Sequence, residues 1–286
     1  MHVFILNIKK RSINIFIIAA VIISCSIFIP RMAFSVKNIK KDFTLPVIMY
    51  HSVLKNPSSQ GKYVVTPDTI EEDFKYLKSN GYTAILSHDL ISFINGGDIC
   101  EKPIMITFDD GHLNNLTYVL PLLEKYDLKA VISPVGIYTQ NAENAKDRNP
   151  AYSYLNFEDI KALIASGRIE IANHSYDLHK LDGRVGTSII RGEDVNAYQK
   201  MLFDDLNKAQ NLFYDNLSIL PVIFTYPFGS CCENSKPVIK NVGFSVSLGC
   251  EEKVNVITRD PQSLYCLGRF NRQSGISSND FFKNIK

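Results

Sequence analysis

Pro103-Ile104-Met105-Ile106-Thr107-Phe108-Asp109-Asp110-Gly111-His112 passes from an apolar run into two adjacent carboxylates and a glycine. A short apolar run bounded by a turn signal reads as a buried strand. Neighbouring side chains on an extended chain point to opposite sides, so Asp109 and Asp110 can do different jobs. One can hold a metal while the other handles a proton. The plain alternative is a strand-ending turn, since Asp and Gly are ordinary turn residues. Whether the rest of the chain supplies partners for a metal decides between them.

Working outward, strand and helix signals alternate on both sides of this stretch. Before it, Leu45 to His51 reads as a buried strand ending in a histidine. Thr66-Pro67-Asp68 opens a helix on which Ile70, Phe74, Leu77 and Lys78 keep the 3.6 period, stopped by Asn80-Gly81. Tyr82 to Leu86 is the next strand, and a helix from about Asp89 to Asn95 ends at Gly96-Gly97. After the acidic pair come a helix over Tyr118 to Tyr126, a strand over Lys129 to Ser133, a helix over Phe157 to Ser166 and a strand over Arg168 to Ala172. Asp194 to Tyr214 is a long amphipathic helix with Val195, Tyr198, Leu202, Leu206, Ala209 and Phe213 on one stripe. Short strands near Pro221 to Tyr226, Phe244 to Leu248 and Leu264 to Phe270 complete the series. Such alternation predicts an α/β fold with a parallel sheet wrapped by helices, in which functional residues gather at C-terminal strand ends. His51, Asp109, Asp110, His174 and Tyr226-Pro227-Phe228 all fall at such ends.

The 286 residues suit one large domain, and 45% hydrophobic against 21% charged residues suits a substantial core. A net charge of +2 without a basic stripe past the N-terminus argues against nucleic acid as a partner. Residues 13–29 are almost wholly apolar, behind Lys9, Lys10 and Arg11 and ahead of Pro30-Arg31. This is a targeting element. Three fates compete: an uncleaved transmembrane anchor, cleavage near Ala33-Phe34-Ser35, or lipidation at Cys25. The anchor is favoured, because Ser26-Ile27-Phe28-Ile29 is too apolar for a usual lipoprotein tether. The resulting division is a cytoplasmic basic tail over 1–12, the anchor or signal segment over 13–29, a tether over 30–43 and the folded domain over 44–286. The positive-inside count does not fix orientation, since Arg31, Lys37, Lys40 and Lys41 match the near-side charges. Of the six cysteines, Cys231, Cys232, Cys250 and Cys266 crowd the last quarter, which allows one or two disulfides in an exported domain; buried or incidental thiols are the equal alternative.

The second chemical motif is His174-Ser175-Tyr176-Asp177-Leu178-His179. Two histidines five apart cannot share one helical face, so this pair needs a loop that folds back. Joined with Asp110 they make a two-His, one-carboxylate set suited to zinc or another divalent transition metal, with Co, Ni or Fe as alternatives. Asp109 is then available to take a proton from a water of lowered pKa.

Thr107-Phe108-Asp109-Asp110-Gly111, His174 through His179, and Tyr226-Pro227-Phe228-Gly229 together resemble the NodB-homology polysaccharide deacetylases, carbohydrate esterase family 4. The resemblance runs from about Val47 to Phe282. It implies a distorted (β/α) barrel with a surface groove for a glycan, Asp109 as base, and Asp110, His174 and His179 as metal ligands. It also implies that the Phe228 backbone N–H helps to hold an oxyanion, since fixed backbone donors need little reorganisation. Two departures stand out. Thr225 occupies the position where the family's third motif carries an Arg that steadies the base, and Arg269 is the candidate replacement, with a surface charge the equal alternative. No histidine follows His179, whereas the family's general-acid histidine usually lies on a C-terminal strand. Met49-Tyr50-His51 offers that strand end at the other terminus, which resembles the circularly permuted branch that includes bacterial poly-N-acetylglucosamine deacetylases, with His51 as the acid.

The expectation is thus a monomeric hydrolase on the outer face of the cell membrane, or secreted if the N-terminal segment is cleaved. It would take N-acetyl groups off peptidoglycan, poly-N-acetylglucosamine or a chitin-like polymer. The rivals are a catalytically silent glycan-binding protein on the same barrel and a hydrolase of another amide or ester. His112 is placed at the rim of the site; His2 and His88 have no named partner, and the loops Asn141 to Tyr154 and Asp182 to Asp194 are where specificity is expected.

Overall fold

The computed structural model describes residues 40–285. The tail, the apolar segment 13–29 and His2 and Cys25 lie outside them. Among the described residues no helix is long and apolar enough to cross a membrane.

Pro103–Asp110 is the central strand, buried along its length until Asp110. It pairs in parallel with Val47–Tyr50 on one side and Ala130–Pro134 on the other, and Thr83–Ala84 pairs with its beginning. Phe270–Asn271 lies beyond Val47–Tyr50, and Ile169–Ile171 beyond Ala130–Pro134, all parallel. Ile223–Thr225 pairs in parallel with Val246–Leu248. Single bridges, Asn173 to Phe224 and Leu248 to Leu267, join this pair to the larger sheet and close a distorted barrel. An antiparallel ribbon of Asp42–Leu45 and Asn255–Thr258 packs alongside. The folded domain therefore begins inside the segment expected to be tether, because Asp42 and Phe43 already pair with Thr258 and Ile257.

The strands are apolar on both sides because both sides are covered. Ile48, Tyr50, Ile104, Ile106, Phe108 and Ile132 face the helices, where they meet Phe74 and Leu77 of Pro67–Ser79 and Ile160 and Leu163 of Phe157–Ala165. Val47, Met105, Val131, Ala172, Ile223 and Leu248 face the barrel interior. This period-2 alternation fixes what the strand ends present. His51, Asp109 and His174 share the parity of Val47, Met105 and Ala172, so each arrives on the interior side.

Most helices match the sequence pattern. Pro67–Ser79 is capped by Thr66, whose hydroxyl accepts from the Thr69 N–H, and Val195–Leu217 buries Tyr198, Leu202, Leu206, Ala209 and Phe213 while Val195 stays exposed. Three elements differ. Asn115–Val119 is a π turn ahead of the α-helix Leu120–Lys125. Gly136–Ala142 is a helix where none was expected, its length too short for a clear period. The strand expected over Leu264 to Phe270 is instead a 3-10 turn, Pro261–Leu264, an isolated bridge at Leu267, and a two-residue strand, Phe270–Asn271.

Candidate active site

The C-terminal ends of the barrel strands open on a cavity of about 540 Å³, within the size range of small-ligand sites. Its floor holds His51, Asp109, Asp110, His174 and His179, with Phe228 on its wall.

Asp109 is 2% exposed. Its carboxylate receives both arms of one guanidinium: Arg269 Nη1 donates to Oδ1 and Nη2 to Oδ2, each at 2.7 Å. Arg269 is fully buried, and its remaining donors are used as well, Nε to the Gly249 carbonyl at 2.7 Å and Nη1 to Thr107 Oγ1 at 3.1 Å. Burial by itself would raise the Asp109 pKa, but Arg269 outweighs it and holds the carboxyl below its usual range. The Arg that the third motif lacks is thus supplied from far along the chain. Arg269 is no surface charge, and it lies just ahead of Phe270–Asn271 rather than at a strand end.

Asp110 should point away from Asp109 by strand alternation, yet both line the cavity. The reason is a left-handed backbone at Asp110 (φ 69°), a conformation that Asp tolerates better than most residues. Gly111 follows at φ 72°, and a Cβ there would lie 2.8 Å from the Pro134 Cβ, so the turn needs glycine on both counts. The turned carboxylate faces His179 Nε2 at 3.2 Å and His174 Nε2 at 3.6 Å from Oδ1, and His112 Nε2 at 3.4 Å from Oδ2. Burial works against the Asp110 charge, but His112 and His174 hold the carboxyl well below its usual range.

His174 is oriented from behind, its Nδ1 lying 2.7 Å from the Thr225 carbonyl. With Nδ1–H donating, Nε2 is left to face Asp110. Burial disfavours the charged ring, yet Asp110 and Asp109 outweigh it and raise the His174 pKa. His179 comes back over the site on the folded loop; its ring lies 4.6 Å from Phe228 and its carbonyl accepts from the Tyr138 hydroxyl at 3.2 Å.

Asp110, His174 and His179 each offer one ligand atom, all within 4.8 Å of one another. Asp110 Oδ1 is buried and lacks a well-directed hydrogen bond among the described residues. An unsatisfied anionic oxygen facing two imidazole nitrogens suits a divalent transition metal with open positions for water and substrate.

His51 Nε2 lies 4.0 Å from Asp109 Oδ2, and its buried Nδ1 has no hydrogen-bond partner among the described residues. Burial lowers the His51 pKa against the opposing pull of Asp109 and Asp110. Its ring packs on Tyr63 at 4.7 Å. Phe228 is left-handed (φ 56°) and 43% exposed. Its turn is held by Thr187, whose N–H donates to Ser230 Oγ at 2.9 Å, so the loop Asp182 to Asp194 braces the groove wall. Tyr154, closing the other loop, stacks on His112 at 5.2 Å. His88 sits instead beside Asp89, outside the cavity.

Several contributors have no signature in the sequence. The Thr225 carbonyl is a backbone group, and Lys62 and Tyr63 reach the cavity from a polar loop. Arg272 is buried and binds Asp73 through Nε at 2.8 Å and Nη2 at 3.0 Å, while Asp73 also accepts from the Tyr50 hydroxyl at 2.8 Å. That network anchors the strand that ends in His51.

Comparison with known proteins agrees with this geometry. The family model for polysaccharide deacetylase matches residues 96–247, just over half of the chain. YxkH of Bacillus subtilis (strain 168), whose name also places it among polysaccharide deacetylases, is 27% identical over 243 residues, covering 85% of this chain and 76% of its own. The poly-beta-1,6-N-acetyl-D-glucosamine N-deacetylase of Escherichia coli (strain K12) is 21% identical over 222 residues, 70% of this chain but only 33% of that protein. The chain therefore spans about a third of the E. coli relative. Among solved structures, a de-N-acetylase from Aggregatibacter actinomycetemcomitans superposes with a TM-score of 0.72 at 21% identity, over 85% of this chain and 99% of that one. IcaB from Ammonifex degensii gives 0.66 at 23%, over 81% and 92%. These likenesses establish the fold. His51 and Arg269 both fall outside the span matched by the family model.

Proposed function

The chain belongs to the polysaccharide deacetylase family, and from that premise we propose that it removes N-acetyl groups from an N-acetylglucosamine-containing polysaccharide, releasing acetate and leaving a free amine. One observation carries the reading: a buried carboxylate clamped by Arg269 stands beside a cluster of Asp110, His174 and His179 in a single open cavity. The names of relatives that act on poly-beta-1,6-N-acetyl-D-glucosamine support the choice of polymer.

A divalent metal held by Asp110, His174 and His179 would polarise the acetamide carbonyl and lower the pKa of a water. Asp109, kept ionised and oriented by Arg269, is the group that takes the proton of the attacking water. In this reading the Phe228 backbone N–H is the donor to the developing oxyanion. His51, near enough to Asp109 for a proton to pass through one water, protonates the leaving nitrogen. Water has then been added across the amide, giving acetate and glucosamine.

A base without an Arg partner would favour a silent glycan-binding protein on the same barrel, but Arg269 meets Asp109 at 2.7 Å. The N-terminal position of the apolar segment 13–29, taken with the family, supports work at the outer face of the membrane, where such polymers lie. Incubating the purified protein with poly-N-acetylglucosamine, peptidoglycan and chitin oligomers, and measuring acetate, tests the proposal. Release from at least one polymer is expected; release from simple esters alone would replace the reading with a different hydrolase.

A further inference from the structure

The chemistry above uses none of the cysteines, all of which are free thiols among the described residues. Four of them lie on the segments around the Phe228 turn, and they have different neighbours. Cys250 Sγ accepts from Arg269 Nη2 at 3.7 Å and touches Met49 Sδ at 3.7 Å, so it belongs to the surroundings of the base. Cys232 Sγ lies 3.4 Å from the Tyr198 hydroxyl.

Cys231 and Cys266 have each other. Both pack against the cluster of Tyr198, Phe224 and Tyr226, and the backbone explains why they meet. Cys231 Sγ packs over Gly249, 3.2 Å from where a Cβ would stand. Gly249 N–H donates to the Leu267 carbonyl at 2.8 Å, and the Cys266 N–H donates to Ser247 Oγ at 2.8 Å. The two cysteines therefore flank the same short segment, Ser247 to Gly249. Cys266 is also held left-handed (φ 55°), a strained state for a residue with a side chain. Both thiols are half-buried, not sealed. They differ chemically as well. The neighbouring Cys231 thiol and the Lys236 ammonium act against burial to bring Cys266 down to about 7, while the Cys266 thiol and burial push Cys231 up.

We propose that Cys231 and Cys266 form a disulfide under oxidising conditions, stapling the turn that carries Phe228 to the segment that carries Arg269. Cys231 follows Gly229 by two residues and Cys266 precedes Arg269 by three, so one covalent bond would fix the groove wall relative to the clamp on the base. The oxidant is a small disulfide such as oxidised glutathione. The Cys266 thiolate attacks one of its sulfurs, giving a mixed disulfide and one glutathione thiolate. The Cys231 thiolate then attacks Cys266 Sγ and expels the second. The two protons lost by the cysteines end on the two glutathione thiols.

The test treats the purified full chain with oxidised glutathione, blocks remaining thiols with N-ethylmaleimide under denaturing conditions, and maps peptides by mass spectrometry. Cys231 linked to Cys266 is expected, with Cys100 and Cys250 alkylated. The oxidised protein should also melt higher than the reduced one by roughly 5 °C or more, a gain that Cys231→Ala and Cys266→Ala each abolish. Alkylation of both thiols after oxidation, a Cys231 link to Cys232 or Cys250, or a Cys231–Cys266 link with no gain in melting temperature would overturn the proposal. The peptide map on the unmodified chain needs no variant and no activity, so it stands apart from the deacetylase reading.

Discussion

Asp109 holds a negative charge where water scarcely reaches, and Arg269 satisfies both of its oxygens. A buried ion pair of this kind is costly to break from one side. Replacing Arg269 by Met should cost about 3–5 kcal/mol, read as a lower denaturant midpoint, together with loss of acetate release; a variant as stable as the parent would contradict the pairing. Asp109→Asn should leave the Asp110, His174 and His179 cluster able to bind metal while lowering turnover by about 10²–10⁴-fold. His174→Ala should lose both metal and activity, and full metal occupancy in that variant would remove His174 from the ligand set. His51→Ala should keep the metal and lose turnover on a similar scale, with near-parental rates as the contrary result. These side chains were legible in the sequence because titratable residues at strand ends are conspicuous. Arg269 was legible only through the family resemblance, which calls for an Arg that Thr225 does not supply, and through its place near an expected late strand end; the Thr225 carbonyl behind His174 was not legible at all, because every residue carries a carbonyl.

At the scale of elements, the site follows from strand parity. Val47, Met105 and Ala172 face inward, so His51, Asp109 and His174 arrive on one side of their strand ends together. Asp110 breaks the rule through its left-handed backbone, which alternation alone could not foretell. The same limit explains the misplaced last strand: Leu264 to Phe270 has an apolar content that fits extension, but its pairing is reduced to one bridge at Leu267 and the start of a two-residue ladder at Phe270. The strand that delivers His51 depends on the buried set of Asp73, Arg272 and Tyr50. Arg272→Leu should destabilise by about 3–5 kcal/mol by stranding Asp73. Adding Asp73→Leu should recover much of that loss in chemical denaturation, since no buried charge then remains; a double variant no better than the single would show that packing, not charge, carries the effect.

For the whole molecule, the barrel class was readable from alternating periodicity, while its closure by isolated bridges was not, since single bridges have no pattern. The cluster of Asp110, His174 and His179 draws on two barrel segments far apart in sequence; Asp109 shares the strand of Asp110, and its clamp Arg269 comes from a third. Only the folded barrel brings them within hydrogen-bonding reach, so metal, base and activity should stand or fall as separable functions of one cavity. The most direct measurement compares the parent and Asp109→Asn proteins, each stripped with chelator and then reloaded, for bound metal per chain and for acetate released from poly-N-acetylglucosamine. The account predicts one metal ion bound by both proteins, acetate released only by the reloaded parent, and none by either stripped protein. Undiminished acetate release from the stripped parent, or from Asp109→Asn, would contradict it.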